Sequence, residues 1–163
     1  MPCSLKRVKS MNSKFDMQFF EMAGEEAKKS LCLRDKCGAL VVLDGNVIGR
    51  GYNGPPTASS QKMCTREYSS SKKPKSDKTC CVHAEWRAIM ECVRLNIPLQ
   101  KSILYFTRVD ESGNLLYSGD PYCTVCSRLA LDAGIGFFAL RHESGIRLYT
   151  TDEYNILSYG FYK

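Results

Sequence analysis

Two short clusters of metal-binding side chains, well apart along the chain, restrict its fold more than any other feature. They are His83-Ala84-Glu85 and Pro121-Tyr122-Cys123-Thr124-Val125-Cys126, and each stands where a loop gives way to a helical pattern. Cys123 and Cys126 fall on one side of a first helical turn and can share one ion, with Zn–S bonds of about 2.3 Å. If His83 is the third ligand, the starts of two helices must meet at one point. One imidazole and two thiolates leave a tetrahedral zinc an open position for water, the coordination of a catalytic site rather than a closed structural one. The metal keeps both thiols deprotonated, and the helix N-termini add positive potential beside it. Glu85 need not bind the ion. It reads as a proton carrier for zinc-activated water, its pKa drawn towards working pH by an enclosed pocket. Taken singly, Cys-x-x-Cys also fits a redox pair, and His-x-Glu a helix cap beside a buried histidine. The order of the clusters, each opening a helix, is what favours a metal site.

The reading of the remaining cysteines depends on compartment. The chain has no run of about 18 apolar residues, so no membrane span is expected. Its first residues, MPCSLKRVKSMNSKF, are basic without a following apolar core, so a secretory signal is not expected either. The expectation is a cytoplasmic protein with reduced thiols. An odd total of nine cysteines then argues against a disulfide framework. Cys37 and Cys92, beside or within apolar segments, read as small buried residues, and Cys3 as an exposed tail residue. Apolar and charged fractions of 44% and 25% are ordinary for a globular protein, and 163 residues suit one compact domain. The expected organisation is a basic tail over 1–12 and a single domain over 13–163. A net charge of +6 suits an anionic ligand without separating a mononucleotide from a polymer. Much of the excess lies in the tail and in segment 66–78, both of which read as solvated stretches.

Helical spacing of Phe15, Phe19, Met22, Ala23 and Ala27 predicts a helix over 13–30, with Ser13 and Asp16 resembling a capping box. Residues 39–43 (ALVVL) and 47–52 read as two strands joined by the turn Asp44-Gly45-Asn46. Residues 54–79, with prolines, serines and many lysines, read as a long loop. A second helix is expected over 83–95, with Ala84, Ala88, Ile89, Cys92 and Val93 on its apolar face. A buried strand follows at 103–107, then a small hairpin over 110–119 around Ser112-Gly113-Asn114. A third helix over 123–133 is stopped by Gly134. Strands at 135–140 and 147–150 precede a last helix capped by Thr150 with Glu153. Strands alternating with helices predict a layered α/β domain around an internal sheet.

These motifs carry a resemblance. The chain resembles the cytidine and deoxycytidylate deaminase superfamily, from about Phe15 to Leu140, through the order His-x-Glu then Cys-x-x-Cys. It is most similar to the deoxycytidylate deaminases, on Cys37-Gly38-Ala39-Leu40-Val41-Val42 and Gly51-Tyr52-Asn53-Gly54-Pro55-Pro56. The resemblance implies a three-layer α/β/α fold with a five-stranded mixed sheet, and a homo-oligomer. It implies zinc on His83, Cys123 and Cys126, with Glu85 moving protons as the exocyclic amine leaves as ammonia. It implies that Asn53 hydrogen-bonds the substrate sugar and that the N–H of Ala84 meets the pyrimidine carbonyl. For Gly51 to Pro56, a plain strand-ending turn explains the same glycines and prolines. A second, structural zinc is also implied, on Cys32, Cys64 and Cys81 with Cys80 as a fourth ligand; scattered free thiols are the alternative.

Two residues depart from the family pattern. Tyr122 stands between Pro121 and Cys123, so the turn before the helix differs and Tyr122 is placed to enter the pocket. Arg87 stands where an asparagine is common, either to bind phosphate or to face solvent. The leading expectation is hydrolysis of dCMP, with dCTP or cytidine as related substrates. A second is deamination of a base in single-stranded nucleic acid held by the lysine-rich loop, where Tyr68 is the lone aromatic residue. A third is a non-catalytic zinc-stabilised module, against which Glu85 speaks.

Overall fold

The computed structural model describes residues 13–58 and 81–161. The tail 1–12 and most of the expected long loop, 59–80, lie outside them. Four helices and six strands follow in the order α1 (Ser13–Lys28), β1 (Lys36–Leu43), β2 (Asn46–Tyr52), α2 (Ala84–Arg94), β3 (Ile103–Val109), β4 (Leu115–Leu116), α3 (Thr124–Ala133), β5 (Phe137–His142), β6 (Gly145–Thr150) and α4 (Thr151–Gly160).

Five strands lie side by side as β2-β1-β3-β5-β6, and the short β4 pairs with β3. β3 and β5 run parallel, joined across α3, while the other pairs are antiparallel. This is the mixed sheet that the resemblance implies. The β1–β2 hairpin turns on Asp44 (φ 49°) and Gly45 (φ 78°), two left-handed residues that match the twist of a two-residue loop. The expected small hairpin forms as well. Gly113 donates to the carbonyl of Asp110, which lets Leu115 and Leu116 return along β3.

The run ALVVL is continuous rather than alternating because β1 is covered on both faces. Leu40 and Val42 pack with Phe19, Phe20 and Ala23 of α1, together with Tyr105 and Ala139. Ala39 and Val41 face the other way, into a core built from Ala84, Ala88, Ile89 and Cys92 of α2, Ala130 of α3 and Tyr154 of α4. One helix on one face and three on the other make the three-layer α/β/α arrangement. α2 seats closely because Gly49 and Gly51 of β2 face it. A Cβ on Gly51 would lie 2.2 Å from the carbonyl oxygen of Ala84, and one on Gly49 2.3 Å from that of Ala88.

The expected capping box falls partly on the Ser13 side chain, which lies outside the described residues; Asp16 itself is buried and accepts the Tyr105 hydroxyl across the α1–sheet interface at 2.8 Å. Two local expectations change. Val93 is exposed, because α2 turns Glu85 rather than Val93 towards the interior. Cys92 is buried as expected, whereas Cys37 is only partly so and borders a cavity. Among the described residues, no helix is long and apolar enough to cross a membrane.

Candidate metal centre and active site

The two motifs converge at the starts of α2 and α3. His83 is the N-cap residue of α2, in extended conformation, and its side chain caps no amide, leaving the imidazole available. Cys123 is the N-cap of α3, and its sulfur accepts from the N–H of Cys126 at 3.2 Å. Gly134 in the left-handed region (φ 90°) closes that helix, as its position predicts. Nδ1 of His83 lies 3.1 Å from Sγ of Cys126 and 3.5 Å from Sγ of Cys123, and the two sulfurs are 2.6 Å apart. Tetrahedral zinc with bonds of about 2.3 Å to sulfur holds two sulfurs about 3.8 Å apart. The donor set therefore fits zinc after the two thiols swing apart by roughly 1 Å, a side-chain rotation. Among the described residues, this is the one group of three such donors gathered tightly enough for a metal.

The charges already lean towards that state. The Cys126 contact, then the His83 imidazole, hold the Cys123 thiol down at about 5. Burial first, then the hydrogen bond with Cys123, push the Cys126 thiol up, so the pair carries one thiolate between them. His83 is raised to about 8 by its contact with Cys123. Glu85 follows on the first turn of α2, 5% exposed, with its carboxyl in contact with the Cys126 sulfur. Burial, reinforced by the Cys123 thiolate, raises it to about 7. A dication beside it would act in the opposite sense.

His83, Glu85 and Cys123 open onto a cavity of about 450 Å³, within the range of small-ligand sites. It lies where β3 and β5 end, at the carboxyl edge of the parallel pair, a common place for ligands in α/β sheets. Asn53 and Ala84 border it too. The Asn53 side chain accepts from the N–H of Cys37 and donates to the carbonyl of Asp35, both at 2.8 Å, so it pins the start of β1 beside the cavity. Each of its polar atoms keeps one further hydrogen-bonding position. Ala84 opens α2, where backbone N–H groups have no partner within the helix.

Arg87 is part-buried and engaged with the backbone. Its guanidinium donates to the carbonyls of Tyr52, Gly54 and Pro55 and lies over the Tyr52 ring, fastening the turn that carries Asn53. Of the four residues expected at a second zinc, Cys32 and Cys81 both border the cavity, while Cys64 and Cys80 lie outside the described residues.

Several lining residues carried no local signal. Arg34 and Arg108 both pair with Asp35, at 3.1 and 3.7 Å. Tyr154 reaches in from α4, where its hydroxyl receives the N–H of Tyr122 at 3.4 Å. Tyr122 lines the cavity, as its place before Cys123 suggested, together with Phe161 from beyond α4.

With this geometry established, the chain was compared with known proteins. The family model of the cytidine and deoxycytidylate deaminase zinc-binding region matches residues 13–139. The deoxycytidylate deaminase of Schizosaccharomyces pombe is 38% identical over 95 residues, covering 56% of this chain and 29% of that protein. The deoxycytidylate deaminase of Mycobacterium phage D29 is 34% identical over 128 residues, covering 74% of this chain and 89% of that protein. This chain thus spans less than a third of the first relative and most of the second. In fold it is similar to the crystal structure of dCMP deaminase from the cyanophage S-TIM5 in complex with dCMP and dUMP. The TM-score is 0.60 at 24% identity, with 79% of this chain and 82% of that one covered.

Proposed function

The chain belongs to the cytidine and deoxycytidylate deaminase zinc-binding family, and from that premise we propose that it hydrolyses dCMP to dUMP and ammonia. The observation that carries this reading is Glu85, a buried carboxyl on the wall of a nucleotide-sized cavity, in contact with one of three convergent zinc donors. A purely structural zinc has no use for it there.

His83, Cys123 and Cys126 would hold the ion, which when bound acidifies a water in its open position towards pKa about 7. Glu85 takes the proton released as oxygen bonds to the amine-bearing ring carbon, and delivers it to the adjacent ring nitrogen. It then carries the remaining proton of the new hydroxyl to the departing amine as the C–N bond breaks, leaving a carbonyl and ammonia. The first amide of α2, at Ala84, meets the pyrimidine carbonyl, and Asn53 uses its remaining capacity on the sugar. Arg34 and Arg108 supply positive charge in the same cavity for a phosphate, each giving up part of its contact with Asp35.

An ultraviolet assay over cytidine, deoxycytidine, dCMP, dCTP and a single-stranded oligonucleotide tests the substrate. Turnover should be highest on dCMP; activity confined to the oligonucleotide would replace the reading with nucleic-acid editing. Glu85→Gln tests the role of the carboxyl. Turnover should fall at least about 100-fold while zinc stays bound, and a Gln variant of near wild-type rate would end the assignment.

A further inference from the structure

We propose that the Tyr154 hydroxyl is a catalytic hydrogen-bond donor, directed at the oxygen that water adds to the amine-bearing ring carbon. The proposal rests on the deaminase reading above and adds a residue of α4 to its chemistry.

Tyr154 is 4% exposed, yet it lines the cavity together with His83, Glu85 and Cys123. Its ring is held on two sides, stacked on Phe138 with centroids 4.1 Å apart and edge to face with Tyr149 at 6.5 Å. The phenol oxygen accepts from the N–H of Tyr122 at 3.4 Å, and the N–H of Cys123 leans on the same oxygen. Two amides thus occupy the acceptor side of the group. Its hydrogen finds no acceptor among the described residues, although a hydroxyl this deeply buried ordinarily donates as well as accepts. Burial first, then the charge of Glu85, push its pKa up, so the hydrogen stays in place. The side-chain charges it feels are those of Glu85 and Cys126. The hydroxyl therefore stands where the reacting carbon has to come.

The acceptors of a reacting cytosine can be counted. The pyrimidine carbonyl meets the Ala84 amide, and the ring nitrogen and the departing amine each take a proton from Glu85. The oxygen contributed by water remains. It gathers negative charge as Glu85 removes its proton, and a fixed donor in an enclosed cavity stabilises charge that forms only then. The Tyr154 O–H bond stays intact throughout, so the hydroxyl adds no proton to the balance of hydrolysis. Bound dCMP does not yet carry that oxygen. The contact therefore strengthens on the way to the transition state and shows in kcat rather than in KM.

The test is steady-state kinetics of zinc-loaded Tyr154→Phe on dCMP. The kcat should fall about 10- to 100-fold, with KM within about threefold and zinc content unchanged. A second readout is affinity for the deoxyribonucleotide of pyrimidin-2-one, which adds water at the same ring carbon but holds hydrogen in place of the amine. That affinity should fall by a factor similar to kcat. A raised KM with kcat unchanged would mean that the hydroxyl only helps to bind the base. Lost turnover with the analogue's affinity intact would take the hydroxyl away from the new oxygen. Either result overturns the proposal, as does Tyr154→Phe at near wild-type rate. Where Tyr154→Phe fails to hold zinc, p-methoxyphenylalanine at position 154 decides, since it keeps the oxygen for the two amides and lacks the hydrogen. Zinc-loaded, it should show both losses; near wild-type turnover, or failure to hold zinc there too, would overturn the donor role and leave the deaminase reading standing. A zinc-loaded wild type that does not deaminate dCMP would remove both.

Discussion

His83 and Glu85 show how two residues on one turn acquire different tasks. His83 sits outside the helix as its N-cap and offers Nδ1 to two sulfurs, whereas Glu85 sits inside the first turn and is buried. On the proposed reading the imidazole is a ligand of the ion and the carboxyl serves the cavity. Replacing the histidine should cost the metal, not only the reaction. We expect His83→Ala to fall from about one zinc per chain to well below that in elemental analysis, since two thiolates alone are a poor site. Glu85→Gln should keep its zinc, so the pair of variants separates ligand from proton carrier. The residues of both motifs were legible in the sequence because ligand chemistry and helix starts are local. The surroundings of Asn53 and Arg87 were not. Asn53 serves Cys37 and Asp35, and Arg87 serves the turn after β2, through contacts between residues far apart in the chain.

Among the elements, α2 matters most, and its placement is decided by what β2 lacks. With glycine at positions 49 and 51 the helix backbone rests almost directly on the strand, which sets the depth at which His83 and Glu85 enter the cavity. A methyl group on Gly51 would strike the Ala84 carbonyl at 2.2 Å and the Ala88 nitrogen at 2.6 Å, backbone atoms that cannot swing aside. Gly51→Ala should therefore destabilise the fold by about 1–3 kcal/mol, read as a melting temperature lower by several degrees. Deamination should fall further than the folded fraction accounts for, because the helix carrying Glu85 has to lift. Unaltered melting and unaltered kinetics would show that α2 is not held at this depth. The strands and helices themselves were readable from period and punctuation. The turn at Asp44-Gly45, the stop at Gly134 and the cap of α4, where the Thr150 hydroxyl accepts from the N–H of Glu153, all formed as expected. Asp16 has a partner that no local signal announced, the buried Tyr105 hydroxyl donated from β3.

At the scale of the whole molecule, the two apolar clusters on either face of the sheet include, among the described residues, none of His83, Cys123 and Cys126. The fold should consequently outlast its metal. Treatment with a strong chelator should abolish dCMP turnover and lower the melting temperature, while far-ultraviolet circular dichroism retains its helical and sheet signal. Readded zinc should restore activity. Loss of secondary structure on chelation would mean that the ion, and not the sheet, organises this chain. By itself the sequence determined which side chains could hold a metal, and where most strands and helices begin and end. Those properties depend on residue chemistry and on neighbours within a few positions. Only the tertiary structure decided that the strand order β2-β1-β3-β5-β6 brings the starts of α2 and α3 together. It also decided that Arg108, Tyr154 and Phe161 share the cavity with them. Such meetings arise from packing between distant segments, and no local period in the chain records them.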